Sequence, residues 1–166
     1  MSTIAPNVKH SSATAEWYTP REVIDIAREY LNGRIDLDPA SCAEANAIVG
    51  AETYYAERGL DRPWAGHVFL NPPTPPRAWW EKLVKEFVSG DVTRAVFLAY
   101  SLEQIAQSIG WGLPMTEFPI LFRPGGKGRI SFLRPGGDRG AAPPHASALV
   151  FLGPPPASRQ GLTVRG

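Results

Sequence analysis

Hydrophobic positions along the chain alternate between helical spacing and short apolar runs, which predicts helices and strands in turn. Residues 20–31 begin with a proline and carry apolar side chains at positions 23, 26, 27, 30 and 31, so they predict a helix that ends at Asn32-Gly33. Residues 79–88 have the same spacing, and residues 41–49 and 102–109 predict two shorter helices.

Short segments rich in branched and aromatic residues predict the strands between these helices. They cover residues 34–38, 51–55, 66–70, 95–100, 120–122, 129–133 and 148–152. Because the first four strands alternate with helices, we expect an α/β fold with a doubly wound, mostly parallel sheet of the Rossmann-like type. The last three strands predict an antiparallel strand or hairpin at the C-terminal end of the sheet.

Two loops of this sheet are the first places to look for a binding site. Sheets of this type bind ligands beyond the carboxyl ends of their strands, near the middle of the sheet. The loops that follow Asp38 and Leu70 leave the two strands that we expect at that position.

The chain has 166 residues, the length of a single folded domain. Residues 1–15 are polar and aperiodic, so we predict a flexible arm there, a folded domain over residues 16–153 and a tail over residues 154–166. No segment approaches the roughly 18 apolar residues of a membrane span, and the N-terminus lacks the pattern of a signal peptide. We therefore expect a cytoplasmic protein with no membrane partner, and find no signal for its oligomeric state.

Residues that commonly bind metals are sparse in this sequence. Cys42 is the single cysteine, which excludes a disulfide framework and a zinc site built from several thiolates. The three histidines, His10, His67 and His145, do not have the spacing of metal ligands. We expect no metal.

Charge is unevenly distributed along the chain, although the net charge is only +1. Such a small net charge excludes binding to nucleic acid through overall positive charge. From Arg94 onward, however, seven arginines face three acidic residues, so the C-terminal half is the basic half. Arg123, Lys127 and Arg129 border a glycine-rich loop there, and we interpret them either as contacts to a nucleic-acid backbone or as solvated loop residues.

Asn71-Pro72-Pro73 follows an apolar strand directly, which places an amide side chain on a turn stiffened by prolines. The exocyclic amine of a purine is a poor nucleophile because its lone pair is conjugated with the ring. Two acceptors, the Asn71 Oδ1 atom and the Pro72 carbonyl, could hold the protons of such an amine and orient its lone pair. A simple turn is the alternative interpretation of these three residues.

Five motifs occur in a fixed order along the chain. They are residues 16–20 (EWYTP), 35–41 (IDLDPAS), 64–73 (WAGHVFLNPP), 128–133 (GRISFL) and 144–151 (PHASALVF). Together they resemble the phage DNA N-6-adenine methyltransferase family over nearly all of the chain after residue 15. The resemblance implies the methyltransferase form of the Rossmann-like fold, S-adenosylmethionine as cofactor, DNA as partner and methyl transfer to N6 of adenine, in the host cytoplasm if the protein is phage-encoded.

The resemblance also assigns site residues. The catalytic tetrapeptide corresponds to Asn71, Pro72, Pro73 and Thr74, and the cofactor-binding residues correspond to Tyr18, Thr19, Asp36, Asp38, Pro39, Ala40, Ser41, Glu57 and Asn71. Asp36 lies two residues before Asp38 on the same side of a strand, so either carboxylate could serve the cofactor, and Asp38 could instead cap the next helix. Glu57 is a candidate for a contact to the cofactor adenine, and an exposed ion pair with its charged neighbours is the alternative.

Thr74 departs from the family pattern, in which an aromatic ring at this position stacks on a base flipped out of the duplex. Stacking on an aromatic side chain is worth about 1–3 kcal/mol, and a threonine cannot provide it. Trp79 or Trp80 could replace the missing ring from the following helix, where core packing is their alternative role. Two other functions stay open: a catalytically impaired module that binds DNA or a partner, and a methyltransferase for cytosine N4, RNA or protein glutamine.

Overall fold

The computed structural model describes residues 17–122, 129–140 and 145–154, in which helices and strands alternate. The α-helices are α1 (Arg21–Tyr30), α2 (Ala43–Val49), α3 (Arg77–Ser89) and α4 (Leu102–Gln107). The strands are β1 (Leu37–Asp38), β2 (Thr53–Tyr54), β3 (Gly66–Leu70), β4 (Val92–Ala99), β5 (Ile120–Phe122) and β6 (Ala148–Leu152). Short 3₁₀ helices cover Gly59–Asp61, Ser108–Gly110 and Met115–Glu117. The predicted arm over residues 1–15 lies outside the described residues, as does the predicted tail beyond residue 154.

The strands of the described residues form one mixed sheet in the order β2-β1-β3-β4-β6-β5. The first four strands in this order run parallel, whereas β6 is antiparallel to both of its neighbours, β4 and β5. The α/β class, the mostly parallel sheet and the antiparallel C-terminal element are therefore confirmed. Leu70 at the end of β3 lies beside Phe97 of β4, so the chain leaves both strands at the same edge of the sheet.

Helices cover both faces of the sheet because alternate side chains of each strand enter two separate apolar cores. Trp80 of α3 packs with Leu70 and Phe97 on one face. Ile24 of α1 packs with Phe69 on the other face. The sheet is thus doubly wound, and its central strands are nearly continuous apolar runs because both of their faces are covered.

Local hydrogen bonds fix the ends of the short helix α2. Cys42 caps its N-terminus, since the thiol sulfur accepts a hydrogen bond from the Ala45 N–H at 3.4 Å. At its other end the Asn46 amide accepts from the Ala51 N–H at 2.9 Å and donates to the Ala51 carbonyl at 3.2 Å. These bonds turn the chain from α2 toward β2, the edge strand that pairs with β1.

The predicted strand over residues 129–133 is wrong. Ile130 and Phe132 are buried, but they enter the core on the α1 side of the sheet. Leu133 makes isolated bridges to Tyr18 and Arg139 in place of a ladder with the sheet. The alternating apolar pattern thus reflects an extended segment that packs across one face, and we call residues 129–140 the strap.

Trp80→Ala is expected to lower the free energy of unfolding by about 3–5 kcal/mol. The Trp80 side chain is fully buried, donates from Nε1 to the Leu113 carbonyl at 2.9 Å, and meets Phe97 and Phe118 edge-on at 5.1 and 5.6 Å. Urea unfolding followed by circular dichroism measures the loss. Val88→Ala is the control, because Val88 lies on the same helix and is 73% exposed; it should change stability by less than about 0.5 kcal/mol. Equal losses in the two variants would contradict this account.

Candidate functional site

A cavity of about 790 Å³ opens where the chain leaves β1 and β3. These two strands are neighbours in the sheet, and yet β2, which lies between them in sequence, is placed on the outer side of β1. The order of strands therefore reverses between β1 and β3. Such a reversal leaves a crevice at the carboxyl ends of the two strands, which is the usual ligand site of doubly wound sheets.

Most of the residues that the sequence predicts for the site line this one cavity. They are Tyr18, Thr19, Asp38, Pro39, Ala40, Ser41, Glu57, Asn71, Pro72, Pro73, Thr74 and Trp79. Asp36 and Arg129 are not part of its wall. Arg123 and Lys127 lie outside the described residues. The structure thus brings together the predicted catalytic tetrapeptide and all but one of the predicted cofactor contacts.

Asp36 has a different position from Asp38, although both were candidates for the same role. Its carboxylate pairs with Arg34 at 3.1 Å and accepts a hydrogen bond from the His67 N–H at 2.7 Å. It also lies so close to Gly66, whose φ is 76°, that an added Cβ there would collide with it. Asp36 therefore fastens the beginning of β3 to the chain before β1, and the cavity is left to Asp38.

Asn71 is held by residues 17–20, which we call the N-terminal segment. Its Nδ2 donates to the Trp17 carbonyl and to the Thr19 Oγ1 atom, both at 3.2 Å. A carbonyl can only accept, so the bond to Trp17 fixes which end of the amide faces this segment. Both amide protons are engaged, and Oδ1 is the atom left to accept a hydrogen bond from a ligand.

The N-terminal segment is itself secured by α2 and by the strap. Tyr18 exchanges two backbone hydrogen bonds with Leu133, at 2.8 and 2.9 Å. Its hydroxyl donates to Glu44 at 3.2 Å, and the second Glu44 oxygen accepts from the Gly136 N–H at 2.6 Å. Burial, with smaller contributions from Cys42 and Glu44, raises the pKa of Tyr18 above its ordinary value, so its hydroxyl stays protonated and donates.

Asp38 is the buried carboxyl group of the cavity, with 3% of its surface exposed. It stands at the end of β1 and accepts a hydrogen bond from the Ala40 N–H at 3.2 Å. Burial raises the pKa of Asp38 to about 7, against the opposing effect of hydrogen bonds from Ala40 and Ser41. A carboxyl group in this state is ionised more readily when a cation occupies the space beside it.

Glu57 and Trp79 also line the cavity. Arg58 next to Glu57 pairs with Asp61 at 3.1 Å, so the alternative ion pair involves Arg58 and not Glu57. The Trp79 ring stacks on Trp64 with centroids 5.9 Å apart and an interplanar angle of 21°. Trp79 packs against the core and also lines the cavity, so its core packing is confirmed and its stacking on a base stays a prediction.

Among the wall residues that sequence analysis missed are Cys42, Tyr100 and Phe132. Tyr100 follows the last residue of β4 directly, and the rule that ligands bind beyond strand ends would have pointed to it. Phe132 was assigned to a strand because of its alternating pattern. Cys42 gave no signal, since a lone cysteine is most often a small buried apolar residue.

Charged groups of the strap surround the N-terminal segment. The Arg134 guanidinium lies over the Trp17 ring, 5.7 Å from its centroid. Arg139 pairs with Glu22 of α1 at 3.0 Å. Arg129 is exposed at the beginning of the strap. Arg134 therefore ties the strap to the segment that carries Tyr18, and Arg139 ties it to α1.

Comparison of the chain with protein-family models, with curated proteins and with solved structures found no match. Among the residues that the structure describes, no helix is long and apolar enough to cross a bilayer. The same part of the chain contains no group of three or more His, Cys, Asp or Glu side chains suited to hold a metal ion.

Asp38→Asn is expected to remove a pH dependence of stability. The pKa of Asp38 is about 7 in the folded protein and 3.8 in its ordinary state, so between these values the folded protein keeps a proton that the unfolded chain has lost. The free energy of unfolding therefore falls as the pH rises from about 4 to about 7, by at most about 1.4 kcal/mol per pH unit for one proton.

Urea titrations of wild type and variant at pH 4.5, 6 and 7.5 measure this effect. Asparagine retains an acceptor for the Ala40 N–H, so the variant should gain stability relative to wild type as the pH rises. Asp25→Asn, which changes an exposed aspartate of α1, is the control for loss of a carboxylate. A difference between Asp38→Asn and wild type that stays constant over this range would contradict the burial of an ionisable Asp38.

Proposed function

We propose that the protein transfers a methyl group from S-adenosylmethionine to the N6 amine of adenine in DNA. The observation that carries the proposal is the Asn71 amide at the end of β3, with its donor side bound to Trp17 and Thr19 and its acceptor side left for a substrate. The ordered motifs support the proposal, since they resemble a methyltransferase family. So does the sheet, because its strand order and its antiparallel β6 fit the Rossmann-like methyltransferase fold.

The residues of the cavity fit S-adenosylmethionine. A volume of about 790 Å³ lies within the range of pockets for small molecules. Asp38 would face the positive charges of the cofactor, while Tyr18, Thr19 and the loop over residues 39–41 would line its other side. Glu57 and Trp79 offer a carboxylate for the polar edge of an adenosine group and a flat ring for its face. When bound, the cofactor supplies an electrophilic methyl group on a sulfonium.

The chain's own contribution is to orient the amine that attacks. The Asn71 Oδ1 atom and the Pro72 carbonyl accept hydrogen bonds from the two N6 protons, so the nitrogen lone pair turns away from the purine ring. The prolines at 72 and 73 restrict the backbone at this point, which keeps the two acceptors in place. In the transfer, the amine would form a bond to the methyl carbon, the sulfur would keep the electrons of the broken carbon–sulfur bond as a neutral thioether, and one N6 proton would pass to water. Catalysis of this kind depends on position and preorganised polarity.

DNA would meet the protein at the open side of this cavity. Arg129 is exposed on the strap, which packs against the N-terminal segment of the site, and a guanidinium there can bind a backbone phosphate. The net charge of +1 implies a few local contacts in place of a broad basic surface. Arg134 lies over the Trp17 ring and Arg139 pairs with Glu22, so we assign both arginines to the framework of the site.

Asn71→Ala is expected to reduce methyl transfer by at least about a hundredfold, because it removes a preorganised acceptor for the amine. The affinity for S-adenosylmethionine should fall by less than the rate of transfer, because Asp38 and the loop over residues 39–41 still face the cofactor. Tritium transfer from labelled cofactor to unmethylated genomic DNA, with calorimetric titration of the cofactor, measures both quantities.

Asn46→Ala is the matched control for this experiment. The Asn46 amide also makes two hydrogen bonds, to Ala51, and does not line the cavity. It should lose thermal stability and keep its specific activity when assayed below its melting temperature. Transfer that survives Asn71→Ala would overturn the role of that amide.

Binding of S-adenosylmethionine is expected to tighten as the pH rises toward 7. The pKa of Asp38 is about 7 in the free protein, and the cationic cofactor binds the ionised carboxylate, so binding releases a proton below this pH. The dissociation constant should fall by nearly tenfold per pH unit between pH 5.5 and 6.5 and level off near pH 7.5. Asp38→Asn should bind more weakly, without this slope. A wild-type constant that is the same at pH 5.5 and 7.5 would rule out this contact.

Thr74 favours a second candidate function, a module that binds the cofactor and DNA without catalysis. Nucleoside mass spectrometry of host DNA with and without the protein separates the two, since N6-methyladenine above background appears only with an active enzyme. Methylcytosine in DNA, methyladenine in RNA or methylglutamine in protein without that product would instead identify another substrate.

A further inference from the structure

Tyr100 is an aromatic residue of the cavity that the proposed mechanism does not yet use. It follows β4 directly and lines the same cavity as Asn71 and Thr74. Leu70 of β3 lies beside Phe97 of β4. Pro73 and Tyr100 each follow that pair by three residues, just beyond the ends of their strands. Parallel neighbours lie about 5 Å apart. The ring at position 100 therefore belongs to the part of the cavity next to the tetrapeptide.

The backbone of Tyr100 is fixed although its side chain is 37% exposed. Its N–H donates to the Gln104 side-chain oxygen at 2.9 Å, and its carbonyl accepts from the Ser147 hydroxyl at 3.0 Å. Ser147 is itself buried. The edge of the ring is supported by the His145 imidazole, with centroids 5.4 Å apart and an interplanar angle of 60°. These contacts produce a half-exposed ring on a fixed base, which is the form of a stacking platform.

Trp79 is less suited to the same role. It already stacks on Trp64, and the edge of its ring lies against Gly59. A Cβ added at Gly59 would lie 3.0 Å from the Trp79 ring and would collide with the Pro39 carbonyl. Pro39 follows the last residue of β1 directly, and Gly59 lies against it. Trp79 is thus placed toward the predicted cofactor end, while Tyr100 stands on the β4 side of Asn71.

We propose that Tyr100 supplies the stacking surface for the target base, in the place of the aromatic ring that Thr74 lacks. The inference rests on the proposed function, and it makes Tyr100 a residue that contacts substrate from the strand adjacent to the tetrapeptide. A planar base held against the ring would present its amine to Asn71. Base–aromatic stacking of this kind tolerates any base, so Tyr100 contributes to capture of the flipped base and not to its identity.

The test measures steady-state methylation of unmethylated, mixed-sequence genomic DNA by wild type and variants. Tyr100→Ala is expected to raise the KM for DNA, or to lower kcat/KM, by about tenfold to a hundredfold, with an unchanged dissociation constant for S-adenosylmethionine in the absence of DNA. Tyr100→Phe keeps the ring and should stay within about threefold of wild type. Tyr54→Ala is the matched control, because Tyr54 is also a tyrosine at the end of a strand, is 36% exposed and does not line the cavity.

A second variant distinguishes stacking from a merely structural role. Adding Thr74→Tyr to Tyr100→Ala returns a ring to the cavity from the other strand, and should recover at least about fivefold of the lost kcat/KM. This recovery is not expected if Tyr100→Ala only disturbs the fold, because the double variant lacks the same structural contact.

The outcomes separate this inference from the proposed function. Wild-type methylation with an unaltered kcat/KM in Tyr100→Ala would overturn the role of Tyr100 and leave the proposed function standing. A loss in Tyr100→Ala that Thr74→Tyr does not relieve would also overturn it. A wild-type protein that binds S-adenosylmethionine and methylates no adenine would overturn the proposed function itself, and the substrate role of Tyr100 with it.

Discussion

The hydrogen bonds of the Asn71 amide connect parts of the chain that are 52 and 54 residues apart, and the shape of the site depends on them. They bind the end of β3 to the N-terminal segment, which the strap secures through the two backbone bonds between Tyr18 and Leu133. An asparagine in an isolated turn would rotate freely. Here its orientation is set before any ligand arrives, and such preorganisation removes a cost that binding would otherwise carry.

Asp38 adds an electrostatic constraint to this geometry. A carboxylate so deeply buried is disfavoured in its ionised form, and the hydrogen bonds from Ala40 and Ser41 offset that penalty in part. The folded protein therefore tolerates a carboxylate whose ionised form is unfavourable at the carboxyl end of β1. A cation in the cavity relieves the penalty, and the site consequently gains affinity for positively charged ligands at the expense of the stability of the empty protein above about pH 4.

The sequence predicts the central strands well and the strap poorly, for a physical reason. Prolines stop the apolar run of β3 at Leu70, and the bounds of β5 and β6 also agree with their apolar runs to the residue. The 129–133 segment has an equally good strand pattern, because alternating burial occurs whenever an extended segment packs on a surface. Neither the apolar runs nor the alternating pattern shows whether an extended segment pairs with a strand or packs across a face of the sheet, because that depends on the rest of the fold.

The two aspartates show the same limit at the level of single residues. The two-residue period places Asp36 and Asp38 on one side of the chain, and it carries no information on depth along the strand. Asp36 lies one level below the cavity, where Gly66 and His67 engage it, whereas Asp38 reaches the open end. Candidate residues could thus be found from the motifs, and the choice between them required the position of β3.

Thr74 and Tyr100 extend this reasoning from one strand to two. A motif is a linear pattern, so the absence of a ring after Asn71-Pro72-Pro73 reads as the loss of a stacking residue. In a parallel sheet, however, the residues that leave adjacent strands at one edge share the same cavity, and a side chain from either strand can fill the same place. The parallel register of β3 and β4 brings the residues that follow the two strands to the same end of the sheet, and Thr74 and Tyr100 both line the cavity there. The contact that we propose for a base is therefore a property of that end of the sheet, and a sequence can keep such a contact while the motif that usually provides it has changed.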